Sequence, residues 1–177
     1  TMARKGSYDD ADGYVTIDLS SASDSISTSL VRFLLPPDWF ALLNATRSKS
    51  YRYQKTRKVY EKFCSMGNGF CFPLQTLLFS SVCQAAGADR QKADYRVYGD
   101  DIIVRKRFAP VVLKMLRTMG FTTNKEKTFL SGPFRESCGA DWFEGEDVRP
   151  YTLDFPLDSI QSIFKCLNGV NRSDRTT

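Results

Sequence analysis

The stretch Tyr95-Arg96-Val97-Tyr98-Gly99-Asp100-Asp101-Ile102-Ile103-Val104 reads as two short strands joined by a tight turn. Aromatic and β-branched residues on both sides favour extended backbone, and a Gly-Asp step suits a two-residue hairpin. Two adjacent carboxylates at such a tip repel one another, which is costly unless a cation or water screens them. A Gly-Asp-Asp triplet alone says little, since composition produces one in roughly one chain in twenty of this length. Its apolar flanks say more, because they hold the acidic turn at the edge of a packed sheet.

Working upstream, Tyr14-Val15-Thr16-Ile17-Asp18-Leu19 reads as a buried strand with a carboxylate near its end. If this strand and the hairpin share one antiparallel sheet, Asp18 and Asp100 converge. Such a cluster is a hard oxygen site suited to Mg²⁺ or Mn²⁺. Two such ions about 4 Å apart activate an attacking oxygen and stabilise a leaving one in phosphoryl transfer, chemistry that needs no histidine. Asp24 follows at a helix start, where it either caps the helix or reads a sugar hydroxyl. Asn68 carries a donor and an acceptor for the same task. Gly67 and Gly69 in Met66-Gly67-Asn68-Gly69-Phe70 either let backbone approach a nucleotide or form a plain loop.

Further out, residues 1–12 read as a polar surface lead-in. Caps in Ser20-Ser21-Ala22-Ser23-Asp24-Ser25 precede Ile26, Leu30, Val31, Phe33 and Leu34 at helical spacing, ended by Pro36-Pro37. A second helix is expected over 37–47. Between residues 47 and 62, Arg47, Lys49, Arg52, Lys55, Arg57, Lys58 and Lys62 oppose only Glu61, with Tyr51, Tyr53 and Tyr60 interleaved. The alternation predicts a hairpin turning near Thr56. It is either a solvated face or a surface for phosphates and stacked bases. Helices are predicted over 73–86, with Leu74, Leu77, Leu78, Val82 and Ala85 inward, over 109–119 ending at Gly120, and over 157–167. Short strands are expected at 128–130, 137–143 and 148–153, and the polar residues 168–177 read as a fraying tail.

The 177 residues carry 25 Lys and Arg against 20 Asp and Glu, a formal charge of +5, and no histidine. That excludes Ser-His-Asp and Cys-His nucleophile systems and His-ligated zinc, leaving proton transfer to carboxylates, Lys, Tyr, Cys or water. Cys64, Cys71, Cys83, Cys138 and Cys166 are odd in number and lack a CxxC pair, as expected for reduced thiols inside a cell, with Cys83 and Cys166 in the core. No apolar run reaches membrane-spanning length and no signal-peptide pattern opens the chain, so a soluble protein without a membrane partner is expected. Thr1 ahead of Met2 suggests a piece of something longer.

The ordered segments 16–24 (Thr-Ile-Asp-Leu-Ser-Ser-Ala-Ser-Asp), 66–70, 98–103 (Tyr-Gly-Asp-Asp-Ile-Ile), 127–129 (Lys-Thr-Phe) and 134–140 (Phe-Arg-Glu-Ser-Cys-Gly-Ala) resemble palm motifs A to E of RNA-dependent RNA polymerases. More closely, the chain is similar to the replicase catalytic beta subunit of positive-strand RNA bacteriophages of the levivirus, Qβ type. The resemblance runs from about Asp12 to Asn168. It implies an α+β palm, an antiparallel sheet with helices packed on one face. The motifs would occupy residues 13–155, residues 47–62 would be a fingers-like insertion, and 156–177 a terminal helix and tail, with fingers and thumb largely absent.

The resemblance implies that Asp18, Asp100 and Asp101 surround two Mg²⁺ ions, with Mn²⁺ as a substitute. Asp24 and Asn68, with Gly67 and Gly69, would select the ribose 2′-hydroxyl. Reverse transcriptases carry a bulky aromatic shortly after the first aspartate, where this chain has Ser20 to Ser23. Lys127, or Lys125 in its place, would protonate the pyrophosphate leaving group, and Arg135 would grip a phosphate of the nascent strand. Arg52, Lys55, Arg57 and Lys58 would contact RNA. The reaction implied is attack of an RNA 3′-hydroxyl on a nucleoside triphosphate under an RNA template. Host translation elongation factors and a ribosomal protein would be partners, in the cytoplasm of a bacterial host. Two other classes remain: a two-metal nuclease or phosphodiesterase, which would use the same carboxylates but has less need for a ribose pair, and an RNA-binding module that uses the basic hairpin without turnover.

Overall fold

The structure is a computed structural model that describes residues 1–173. Along the chain run α1 (Met2–Tyr8), β1 (Tyr14–Ile17), α2 (Ala22–Ser25), α3 (Thr28–Leu34), α4 (Pro37–Thr46), β2 (Ser50–Tyr53), β3 (Thr56–Val59) and α5 (Cys71–Ala85). Then follow β4 (Tyr95–Tyr98), β5 (Asp101–Arg105), α6 (Ala109–Thr118), β6 (Phe134–Ser137), β7 (Ala140–Phe143), β8 (Glu146–Asp147) and α7 (Ile160–Ser173). The mixture is α+β, with antiparallel sheets ordered β1-β5-β4, β2-β3 and β6-β7-β8.

The central sheet takes its register from side-chain alternation. Val15 pairs with Val104 and Ile17 with Ile102, and all four point into the main core. Leu74, Leu78 and Val82 of α5 and Val112 and Leu116 of α6 close over that face. Each such side chain contributes about 1.5–3 kcal/mol on burial. A one-residue slip would turn all of them outward, so the register is strongly specified. At the open end of the β4–β5 hairpin, buried Asp94 accepts from Arg105 Nε at 3.1 Å and Arg107 at 3.0 Å.

Helices do not lie on one face alone. All four residues of β1 are buried, because α1 and β6 pack against its other side. The expected surface lead-in is therefore a docked helix: Arg4 Nε donates to Gly145 O at 2.6 Å, and Gly145 N donates to Ser7 Oγ at 2.9 Å. Gly6 permits the approach, since a Cβ there would stand 2.1 Å from Tyr14 O.

Other expectations shift for local reasons. The first helix breaks at Ile26, because Phe63 N donates to Ile26 O at 2.7 Å and Thr28 N to Glu61 O at 2.9 Å, pairing this stretch with residues 61–63. Helix α5 begins at Cys71, and Leu77 and Ala85 face solvent. The β2–β3 hairpin forms around Gln54 and Lys55, Gln54 having positive φ. Residues 128–130 form no strand, and Phe129 makes an isolated pairing with Thr16. Residues 137–143 divide between β6 and β7 at Cys138-Gly139, where both φ values are positive. Residues 148–153 form no strand, and α7 starts later and runs further than 157–167. Of the expected fraying tail, 168–173 are helical and 174–177 lie outside the described residues.

All five thiols are free; burial lifts Cys64 and Cys83 to about 12, whereas Cys138 is exposed and Cys166 only half-buried. Among the described residues no helix is long and apolar enough to cross a membrane.

Candidate active site

Continuing the β1–β5 register by one residue sets Asp18 opposite Asp101. Ile17 and Ile102 point into the core, so Asp18 and Asp101 project together from the opposite face. Tyr98 pairs with Asp101, leaving Gly99 and Asp100 as the two-residue turn. Only Gly99 of that pair has positive φ, at 63°, the pattern of a II′ turn that asks for glycine first. The turn is anchored to α5, since Gly99 N donates to Thr76 Oγ1 at 2.8 Å. Ser137 Oγ lies 3.4 Å from Asp101 Oδ1, bringing the β6 end to the same place.

Burial is the first cause that pushes the Asp18 carboxyl above its ordinary 3.8; Asp100 and Asp101 add to the rise, while a hydrogen bond from Asn124 and the charge of Lys127 oppose it. Asp101 and Asp100 also add to the partial desolvation that raises the Cys138 thiol, although the residue as a whole is exposed. Among the described residues no three acidic or thiol side chains form a cluster that would hold an ion unaided. The donor set nevertheless fits Mg²⁺, which is usually held by one or two carboxylates and completed by water and substrate phosphates.

The outer edge of β1 is covered by residues 122–129. Ser20 N donates to Thr122 O at 2.8 Å, Asn124 N to Asp18 O at 2.9 Å and Phe129 N to Thr16 O at 2.9 Å. Thr16 faces Phe129 and Leu19 faces Thr123, so three steps along β1 match six along its neighbour. The extra residues bulge out opposite Asp18 and carry Lys125, Glu126 and Lys127. Lys127 is the lysine on the Asp18 side, with its Nζ 3.9 Å from Glu136. Lys125 instead lines a cleft of about 490 Å³ with Arg117, Leu113 and Phe121.

Asp24 forms an ion pair with Lys62, which raises the lysine above its usual range. Asn68 closes a side-chain turn just ahead of α5, its side-chain oxygen accepting from Phe70 N at 3.2 Å. Asp24 and Asn68 share no hydrogen bond among the described residues. Around Gly67 and Gly69 nothing lies within 4 Å of a built Cβ, so that loop is open to an approaching ligand.

Arg135 is not at the surface. It is fully buried, and its Nε donates to Tyr14 O at 2.7 Å and its Nη1 to Gly132 O at 2.8 Å and Phe134 O at 2.6 Å. An arginine in a turn motif reads as a phosphate contact until the carbonyls of a distant strand are brought to it. Arg52, Lys55, Arg57 and Lys58 are exposed on the β2–β3 hairpin. Arg52 and Arg57 face each other across the strands, while Tyr51 stacks on Tyr60 at 4.7 Å.

Asn124, Thr128 and Thr76 were not singled out by the sequence, and Lys62 only as one cation of the basic segment. Only Asn124 carried a local signal: with Glu126 two residues on, it forms a side-chain turn, Glu126 N donating to Asn124 Oδ1 at 3.1 Å.

The chain resembles solved polymerases in fold. It superposes on a foamy viral protease-reverse transcriptase in complex with an RNA/DNA hybrid with a TM-score of 0.60 at 13% identity, over 98% of this chain and 23% of that one. It superposes on the BmCPV RNA-dependent RNA polymerase at elongation state with a TM-score of 0.58 at 14% identity, over 89% and 18%. In sequence it is 44% identical to the RNA-directed RNA polymerase subunit beta of Enterobacteria phage SP, over 97% of this chain and 30% of that protein. It is 42% identical to that of Escherichia virus Qbeta, over 89% and 27%. The chain thus spans about three-tenths of the length of these curated relatives. A family model described as RNA replicase, beta-chain, matches residues 1–177 in full, and the chain belongs to that family.

Proposed function

We propose that these residues form the palm of an RNA-directed RNA polymerase, which extends an RNA 3′-hydroxyl with nucleoside triphosphates under an RNA template. The observation that carries this reading is the β1–β5 register, which brings Asp18 beside Asp101 with Asp100 at the adjoining turn. Asp18, Asp100 and Asp101 would hold Mg²⁺, or Mn²⁺ in its place. Bound there, two ions supply activation of the attacking hydroxyl and charge stabilisation at the leaving pyrophosphate.

The chain's own side chains do the rest. Lys127 is near enough to Asp18 to influence its charge and exposed enough to meet a triphosphate, so it serves as the proton donor to pyrophosphate. Asp24 reads the ribose 2′-hydroxyl together with its partner Lys62, and Asn68 offers its amide donors from the open Gly67–Gly69 loop. The basic hairpin tracks the RNA backbone through Arg52, Lys55, Arg57 and Lys58. The relatives are named as subunits, which supports an assembly with other proteins. Host translation elongation factors and a ribosomal protein are the proposed members, in the cytoplasm of a bacterial host.

Primer extension by the full-length polymerase that carries these residues tests the reading. Asp100→Ala should abolish incorporation, and extension that survives it would remove the metal-site assignment. Asp24→Ala should relax ribose over deoxyribose selection, and an unchanged ratio would remove Asp24 from that role.

A further inference from the structure

We propose that Asn124 and Thr128 are positioning residues that clamp the main chain at Asp18, and so aim its carboxylate, tying it to the Lys125–Lys127 bulge so that Asp18 and Lys127 keep one fixed relation. The inference rests on the metal-site reading above and adds to it what holds the first carboxylate in place.

Asp18 lies one residue beyond the last paired position of β1, where a chain end would be free to swing. Its backbone is closed on both sides by one hydroxyl: Asp18 N donates to Thr128 Oγ1 at 3.2 Å, and Thr128 Oγ1 donates to Asp18 O at 3.2 Å. Asn124 N donates to the same carbonyl at 2.9 Å. The Asn124 side chain is itself oriented, since its oxygen accepts from Glu126 N at 3.1 Å, and it is close enough to the Asp18 carboxyl to oppose the rise that burial causes there. Asn124 and Thr128 therefore stand at the two feet of the bulge, and both feet rest on Asp18. Bulges beside active sites re-aim side chains, and here the re-aimed residue is Lys127. A main chain fixed at both its N–H and its C=O limits the directions in which the carboxylate can point, the usual task of groups behind a metal ligand.

The test is Mn²⁺ binding by this chain, followed by electron paramagnetic resonance, with thermal unfolding measured on each variant. Asn124→Ser keeps a turn-forming oxygen without the reach to Asp18, and Thr128→Val keeps volume without the hydroxyl. Both should weaken Mn²⁺ binding about 10-fold, the size typical of groups that orient a ligand. Thr128→Ser should restore it, and at matched melting temperature a purely structural role would move none of these affinities. An Asp18→Asn-sensitive site that Asn124→Ser and Thr128→Val leave at full affinity overturns the clamp alone. Binding that is absent, or that Asp18→Asn leaves unchanged, overturns the metal-site reading on which the clamp rests. If Asn124→Ser does not fold, the Thr128 pair decides by itself.

Discussion

Phe72 occupies the space that a side chain at Gly99 would need: a Cβ built on Gly99 falls 2.2 Å from Phe72 Cε2. The same ring meets Tyr98 edge-on at 4.7 Å, so α5 grips the acidic turn through an aromatic pair as well as through Thr76. Gly99→Ala therefore faces both a left-handed backbone and a filled space. It should lower stability by about 1–2 kcal/mol from the backbone alone, and more if Phe72 cannot move. Urea unfolding measures this, and an unchanged midpoint would show that the turn has another conformation open to it.

The buried guanidinium of Arg135 joins β1 to the turn before β6. Arg135→Met would strand the carbonyls of Tyr14, Gly132 and Phe134, each unmade bond costing about 1–3 kcal/mol. A loss of about 3 kcal/mol or more is expected, and Arg135→Lys should not recover it, because an ammonium cannot span the same fork. The salt dependence of RNA binding by the folded fraction should stay as it is. A flatter salt dependence would return Arg135 to the RNA surface.

For the hairpin the expectation is reversed. Arg52→Ala with Arg57→Ala removes two exposed cations that face each other across β2 and β3. Stability should change by less than about 0.5 kcal/mol. The slope of log affinity for single-stranded RNA against log salt should fall by about 0.7 for each phosphate that these arginines neutralise. Fluorescence anisotropy at several salt concentrations reads it, and an unaltered slope would make the hairpin a solvated face only.

Asp18 links the site to pH. Burial holds its carboxyl above 3.8 in the folded chain, so the folded state keeps a proton that the unfolded state releases. Its contribution to stability is then full below pH 3.8, falls as pH rises through the raised folded value, and stays low at neutrality. Asp18→Asn should raise the melting temperature at pH 7 in EDTA, with the gain vanishing below pH 3.8. A variant equally or less stable at pH 7 would contradict the sign.

Much of this was legible in the chain. The Gly-Asp-Asp turn, its flanking strands, the strand ending in Asp18 and the basic hairpin all follow from alternation and turn chemistry, which act over a few residues. The docking of α1 was not legible, because the polar run of residues 1–12 hides that Ala3, Gly6 and Ser7 are buried against β1 and the β7–β8 turn. Nor was the break at Ile26, where partners near residue 62 compete for backbone groups that a continuous helix would use.

At the site the division falls between residue type and residue use. Sequence alone offered carboxylates and a glycine-rich loop as candidates for the chemistry, since these are properties of the side chains and their near neighbours, and the family resemblance added a lysine. Tertiary structure decided that Asp18 lies beside Asp101, that Lys127 is on the Asp18 side and pairs with Glu136 while Lys125 lines a separate cleft, that Asp24 is paired with Lys62, and that Arg135 is spent inside. Those outcomes depend on hydrogen bonds across more than a hundred residues, as between Asp18 and Thr128 or Arg135 and Tyr14. A long-range bond leaves no periodicity in the chain, because its geometry exists only once the sheet has closed around it.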